Sequence, residues 1–286
     1  MTAQSVRSVR EKRFGVRGER APASAQRRRR LGPGKRIPYG RMLGPVLILA
    51  VWSAASATGV LDPRLVSAPW TVFDEAWQLT RGQGELQSDF LISARRAMTG
   101  LGIGVAAGTA LAVAAGLSRV GDAVVDGAMQ VKRAIPALAL IPLMILWLGI
   151  GEEMKIVTIA LFVLVPVYIN TYAALVGIDS RYVELAEVVG LSRWQFLRKV
   201  VIPGALPGWF TGLRLGVTGS WLALIVVEQI NATSGIGYMM FQAQEYGQTD
   251  VILVGLLVYG LFGFVTDAVV RLIERRALSW RQTLGS

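Results

Sequence analysis

The sequence contains no cysteine and no histidine among its 286 residues. Without cysteine there can be no disulfide framework, thiolate nucleophile or Cys/His zinc site. Without histidine, the usual serine–histidine triad and imidazole acid–base chemistry are excluded as well. Charge is also scarce: 17% of residues are charged, against about 25% in soluble globular domains. The charges are bunched, so long stretches carry almost no ionisable group. Apolar residues make up 53% of the chain, and glycine is abundant at 32 residues. Glycine is frequent where helices must approach closely in lipid. These absences and excesses describe a membrane protein.

A transmembrane helix needs about 20 mostly apolar residues. Six stretches qualify, at 42–60, 97–117, 134–150, 156–177, 208–228 and 251–270. The expected fold is therefore all-α and polytopic, with about six spans within a membrane domain over 42–270. The third stretch carries Pro136 and Pro142. Each proline removes a backbone donor, so this span is expected to kink or to extend into its flanks.

Lys and Arg set orientation, because they are retained on the cytoplasmic side. With the N-terminus inside, the segments 1–41, 118–133, 178–206 and 271–286 carry 24 of the 30 basic residues, and the outside segments carry 5. Acidic residues divide almost evenly. Both termini are expected in the cytoplasm of a bacterial inner membrane, with 271–286 as a basic tail.

The net charge of +11 comes largely from residues 1–41, which hold 13 Lys/Arg against two acidic residues. With Pro22, Pro33, Gly32 and Gly34, this arm reads as disordered and solvated. It serves topology and anionic lipid rather than nucleic acid. Because 41 residues precede the first apolar stretch, that stretch reads as a retained anchor and not a signal peptide.

Between the first two spans, Trp70, Phe73 and Trp77 fall at i, i+3 and i+7. They would share one face of a short helix, either lying on the outer membrane surface or packed on other helices. Small residues recur at every fourth position in the second span, at Gly100, Gly104, Gly108, Ala112 and Gly116. Gly212, Gly216 and Ser220 repeat the pattern in the fifth. Such stripes let helix backbones pack closely in lipid.

The segment 178–206 is too long for a turn and too polar to cross. Two short helices are expected around Gly190. The first begins at Asp179 or Ser180, and the second is capped by Ser192 with Gln195 three positions on, a capping box. Pro203 is expected to stop the second helix and Pro207 to reset the chain for the fifth span. A helix–glycine–helix unit with apolar residues on a cytoplasmic surface is either a docking knob for another protein or a simple interfacial hairpin.

This segment resembles the EAA signature of ABC importer permeases. Glu184-Leu185-Ala186, three residues, Gly190, nine residues and Val200-Val201-Ile202-Pro203 are similar to E-A-A, three residues, G, nine residues, I-x-L-P. Leu185, Val200 and Ile202 depart by apolar exchange. The stretches ALIPLMILWLGIGEEMKI, FVLVPVYINTY and SGIGYMMFQAQEYGQTDVILVGLLVYGL look like permeases of the sulfonate, taurine and nitrate importers, most of all the aliphatic sulfonate permeases. The arm 1–41 has no counterpart.

The resemblance implies a type I importer permease fold, paired with a second permease copy. Two ATP-binding-cassette ATPases would bind ATP and magnesium, and an extracytoplasmic binding protein would deliver substrate. This chain would carry no cofactor, metal site or catalytic residue of its own. Gly32-Pro33-Gly34-Lys35 lacks the spacing and the hydroxyl of a phosphate loop. Coupling to the ATPase would fall to Tyr182, Val183, Glu184, Ala186, Gly190, Leu191 and Trp194.

Candidate pathway residues are the polar and ionisable groups inside spans: Arg214, Glu228 and Asp267, with Tyr168, Asn170, Tyr172, Ser220 and Trp221. Arg214 could touch an anion, or Arg214 and Asp267 could merely snorkel. Glu228 would repel an anion and is expected to pair with a cation or to gate. Arg95 and Arg96 are expected to meet lipid phosphate or a docked binding protein. Glu245 and Asp250 are docking charges or a solvated loop. The other solutes open to this reading are taurine, nitrate or another small molecule. A stand-alone secondary carrier or a membrane enzyme is the reading from a different class.

Overall fold

A computed structural model describes residues 40–82 and 85–280, and all regular structure among them is helical. The arm with Arg27–Arg30, the Gly32–Lys35 stretch, Gly84 and the end of the basic tail lie outside the described residues. The helices are α1 (Gly40–Ala57), α2 (Pro69–Arg81), α3 (Glu85–Gly116), α4 (Arg119–Ala134) and α5 (Ala137–Leu148). They continue with α6 (Glu152–Val176), α7 (Arg181–Val188), α8 (Arg193–Ile230), α9 (Ile236–Glu245) and α10 (Thr249–Ala277). By length and apolarity, α3, α6, α8 and α10 can each cross a bilayer, and the pair α4–α5, bent by 92°, makes a fifth candidate. Helix α1 is shorter, and its large side chains from Leu43 to Val51 are exposed, as a lipid-facing helix requires.

The glycine stripes explain the central packing. A Cβ on Gly100 would meet Ile159, on Gly104 Val163, on Gly108 Val167 and on Gly116 Leu175. The constant offset means that α3 and α6 run parallel in register, with backbone nearly touching backbone. On the other side of α6, Gly212 abuts Pro166, Val167 and Asn170, and Gly216 abuts Val163. That order runs the opposite way, so α8 is antiparallel to α6. Helix α6 is thus held between two glycine faces, and Ile159, Val163 and Val167 are fully buried there. Close approach of this kind lets dispersion contacts replace the hydrophobic force that lipid does not supply.

Helix α4 also runs antiparallel along α6, through Tyr172–Asp122, Tyr168–Asp126 and Lys132–Leu161 contacts. The segment 118–133, counted in the sequence as an inside loop, is therefore part of the bundle. A π turn over Asp122–Asp126 interrupts it. The chain breaks at Ile135, which is extended at φ −88°, ψ 119°, as the residue before a proline prefers. Pro142 sits in the first turn of the following α-helix, where its missing N–H costs nothing.

Two expectations about helix ends are corrected. Pro203 does not stop the helix that begins at Arg193, and Pro207 lies inside it. A π turn over Leu197–Val201 ends two residues before Pro203. The wider turn relieves the clash between a proline ring and the preceding turn's carbonyl, so the helix continues for 38 residues. Helix α3 begins about three turns before the expected span, because Arg96 is buried and neutralised and does not mark a membrane boundary.

Helix α2 resolves the two readings of its aromatic face. Val72 is buried, and Ala76 and Leu79 pack on the core, whereas Trp70, Phe73 and Trp77 stay exposed. The helix rests on the bundle with one face and presents the aromatic face outward.

Candidate coupling surface and interior polar sites

At one end of the bundle, α6 gives way to the segment containing α7. The root is apolar: Leu175, Val201 and Ala205 are buried with Ile178, Phe196 and Leu197 packed on them. Asp179 Oδ1 accepts from the Arg181 N–H at 2.9 Å and starts α7. The helix ends at Gly190, whose φ of +72° is left-handed. The Leu191 N–H donates to the Ala186 carbonyl at 2.9 Å and the Gly190 N–H to the Glu187 carbonyl at 3.0 Å. These two bonds are the paired closure of a Schellman end. Two residues on, Ser192 Oγ accepts from the Gln195 N–H and Gln195 Oε1 accepts from the Ser192 N–H, the reciprocal capping box read from the sequence.

This geometry decides which side chains project. Ala186 is buried beneath the helix and Leu191 is partly buried, whereas Tyr182, Val183, Glu184 and Trp194 are exposed. Leu185 and Val189 are exposed beside them, and Val188 reaches 86%. None of these three was among the coupling residues expected from the sequence. Large apolar side chains gathered on a surface rimmed by Arg181, Glu187 and Arg193 make this a candidate interaction site.

At the other end, four ionisable side chains form a closed cluster. Arg96 is 3% exposed and donates to Glu152 through Nε (2.7 Å) and Nη2 (2.6 Å), and to Glu228 through Nη1 at 2.7 Å. Lys155 Nζ donates to Glu152 at 2.9 Å. Glu228 is 0% exposed and also accepts from Ser93 Oγ, the Gly237 N–H and Tyr259 Oη, each at 2.8–2.9 Å. The Gly235 N–H donates to Asp89 and the Ile236 N–H to Ser93. Side-chain oxygens therefore receive three successive N–H groups opening α9, which satisfies donors that a helix start leaves free. Gly235 has φ +110°, and a Cβ on Gly237 would fall 2.6 Å from Glu228 Cβ. The sequence treated 229–250 as a loop. Its signal for structure was the pair of glycines beside a buried acid.

Residues 100–279 match the family described as binding-protein-dependent transport system inner membrane component. The chain is 44% identical over 236 residues to a protein of Escherichia coli (strain K12) named as an aliphatic sulfonates transport permease, SsuC, covering 82% of this chain and 89% of that protein. A protein of the same name from Bacillus subtilis (strain 168) is 36% identical over 254 residues, 88% of this chain and 91% of its own. The chain belongs to this family of inner-membrane permeases. A solved amino acid ABC transporter, crystallised with histidines, shares the fold at TM-score 0.57 and 17% identity, over 70% of this chain and 97% of that one.

Within this permease the interior residues named from the sequence are dispersed. Tyr168 is buried, donates to Asp126 at 3.0 Å and stacks on Tyr172, whose hydroxyl donates to Asp122. Asn170 Nδ2 donates to the Pro166 carbonyl at 2.8 Å. Ser220 is buried and donates to the Val217 carbonyl, and buried Trp221 donates from Nε1 to Thr266 at 3.1 Å. Arg214 pairs with Asp267 at 3.3 Å and approaches Glu274 at 3.9 Å, while Asp267 also accepts from Arg271. Glu228 has the cationic partner expected of it. Arg96, expected to meet lipid or a docked protein, is instead enclosed, because two carboxylates from α6 and α8 converge on it. Arg95 beside it is exposed. Glu245 and Asp250 flank the turn between α9 and α10; Glu245 is exposed and Asp250 partly buried.

Proposed function

We propose that the chain is the permease subunit of an ATP-driven importer that carries a small organic anion, an aliphatic sulfonate, across the cytoplasmic membrane. The carrying observation is the exposed apolar face of α7 and the Trp194 turn, closed by the positive-φ Gly190. That face lies at the end of the bundle where the sequence gathers Lys and Arg, so it is assigned to the cytoplasm with both termini. Separate ATP-binding-cassette ATPases would bind ATP and magnesium and engage it through Tyr182, Val183, Glu184, Trp194 and the Gly190 break. Ala186 and Leu191 would hold the lever to its root. Two permease copies would form the pathway, with Tyr168, Asn170, Tyr172, Arg214, Ser220, Trp221 and Glu228 as interior polar groups of each half. An extracytoplasmic binding protein would deliver the substrate, as the family's description supports, and the names of the two relatives support a sulfonate. The remaining domain assignment, 1–41 as a basic cytoplasmic arm on anionic lipid and 271–286 as a basic tail, follows the same orientation.

Co-purification tests the reading. The expected result is a stoichiometric ATPase retained by the wild-type permease, with hydrolysis stimulated by a sulfonate-loaded binding protein. No side chain stands within 4 Å of a Cβ at Gly190, so Gly190→Trp is expected to fold, at a backbone cost of about 1–2 kcal/mol, and to lose that stimulation. An active solitary chain, or a Gly190→Trp variant with normal uptake, contradicts the reading.

A further inference from the structure

The buried and half-buried basic side chains of the bundle can be accounted for one by one. Arg96 faces Glu152 and Glu228, Lys155 faces Glu152, and Arg214 faces Asp267 and Glu274. Lys132 differs from all three. Among the described residues no carboxylate lies within ion-pair distance of it, and its Nζ donates at 2.8 Å to the main-chain carbonyl of Leu161. The acids of its own helix are engaged elsewhere, Asp126 by Tyr168 and Gln130 and Asp122 by Tyr172.

Its depth makes this unusual. Leu161 is the tenth of the 25 residues of α6, about 14 Å from that helix's start at 1.5 Å per residue. An ammonium is therefore held near the middle of a spanning helix without a counter-charge. Ionisable groups at mid-bilayer are costly on insertion scales. The bond to the Leu161 carbonyl is charge-assisted through its donor, but a neutral acceptor leaves the positive charge uncompensated. Lys132 lies in the last turn before the break at Ile135–Pro136, where carbonyls left free by the helix end favour a cation. It remains partly exposed.

We propose that Lys132 is the anion contact of this permease: its ammonium receives the sulfonate headgroup in transit, with the Leu161 carbonyl holding the cation between passages. This rests on the proposed function and names the group that would recognise the charge of the cargo. Arg214 is the weaker candidate for that role, since two carboxylates already share it.

The test uses the complete importer in proteoliposomes, with butanesulfonate as the probe and uptake, stimulated ATP hydrolysis and Tm read together. Lys132→Gln and Lys132→Met are each expected to lower uptake at least tenfold while stimulated hydrolysis and Tm stay near wild type. Lys132→Arg is expected to keep most of the uptake. Neutral variants that transport within twofold of wild type overturn the assignment. So does a parallel loss of Tm, hydrolysis and uptake in all three variants, which would make Lys132 a structural pin between α4 and α6. A wild-type complex that carries no sulfonate overturns the functional reading itself, a result distinct from either.

Discussion

Arg96 illustrates how a single side chain can be misjudged from its neighbours in sequence. Beside Arg95 it looks like the edge of a membrane span, yet it is buried between Glu152 and Glu228 and helps to hold α3, α6 and α8 together. Breaking a buried pair by removing one partner costs about 3–5 kcal/mol, because the other charge is left uncompensated. Arg96→Met strands Glu228, whose remaining donors are neutral, and is expected to lose that amount in thermal unfolding in detergent. Glu228→Gln is expected to cost less, since Arg96 keeps both bonds to Glu152 and the amide can still accept from Gly237. Equal losses in the two variants would contradict this account of the cluster. No periodicity in the sequence reveals that Arg96 and Glu228 meet, because 132 residues separate them.

At the scale of elements, the small-residue stripes carried the most structural information. Their every-fourth spacing located the faces by which α3 and α8 grip α6, although the sequence could not say that both grip the same helix. Gly104→Leu is expected to cost about 1–3 kcal/mol by overpacking, since even a Cβ there would lie 2.6 Å from the Ala160 carbonyl. Gly102→Ala is the internal control: its Cβ would meet nothing within 4 Å, and the change is expected to stabilise by about 0.5–1 kcal/mol. A Gly104→Leu variant as stable as Gly102→Ala would contradict the register. The helix break at Gly190 and the capping box at Ser192 were also legible, because both are local and depend on residue type. The continuation through Pro203 was not, since a π turn leaves no compositional mark. Helix α9 was hidden for a different reason: its start is stabilised by Asp89, Ser93 and Glu228 from other elements.

For the whole molecule, the two ends of the bundle are built differently. One end is closed by the Arg96–Glu228–Glu152–Lys155 cluster around the start of α9, which ties α3, α8 and α10 through buried hydrogen bonds and α6 through a part-buried pair. The other end carries the α7 segment, whose root is apolar and whose outer face is exposed. Under the proposed function, force would enter at this exposed face and be felt through the packed helices between the two ends. The proposed function requires this segment to face the compartment that supplies ATP. The chain has no cysteine, so Ser192→Cys introduces a single thiol at an exposed position of that segment. A membrane-impermeant maleimide is expected to label it in inside-out vesicles and not in right-side-out vesicles or whole cells, with labelling reduced when the ATPase is bound. Labelling from the exterior of intact cells would contradict the account.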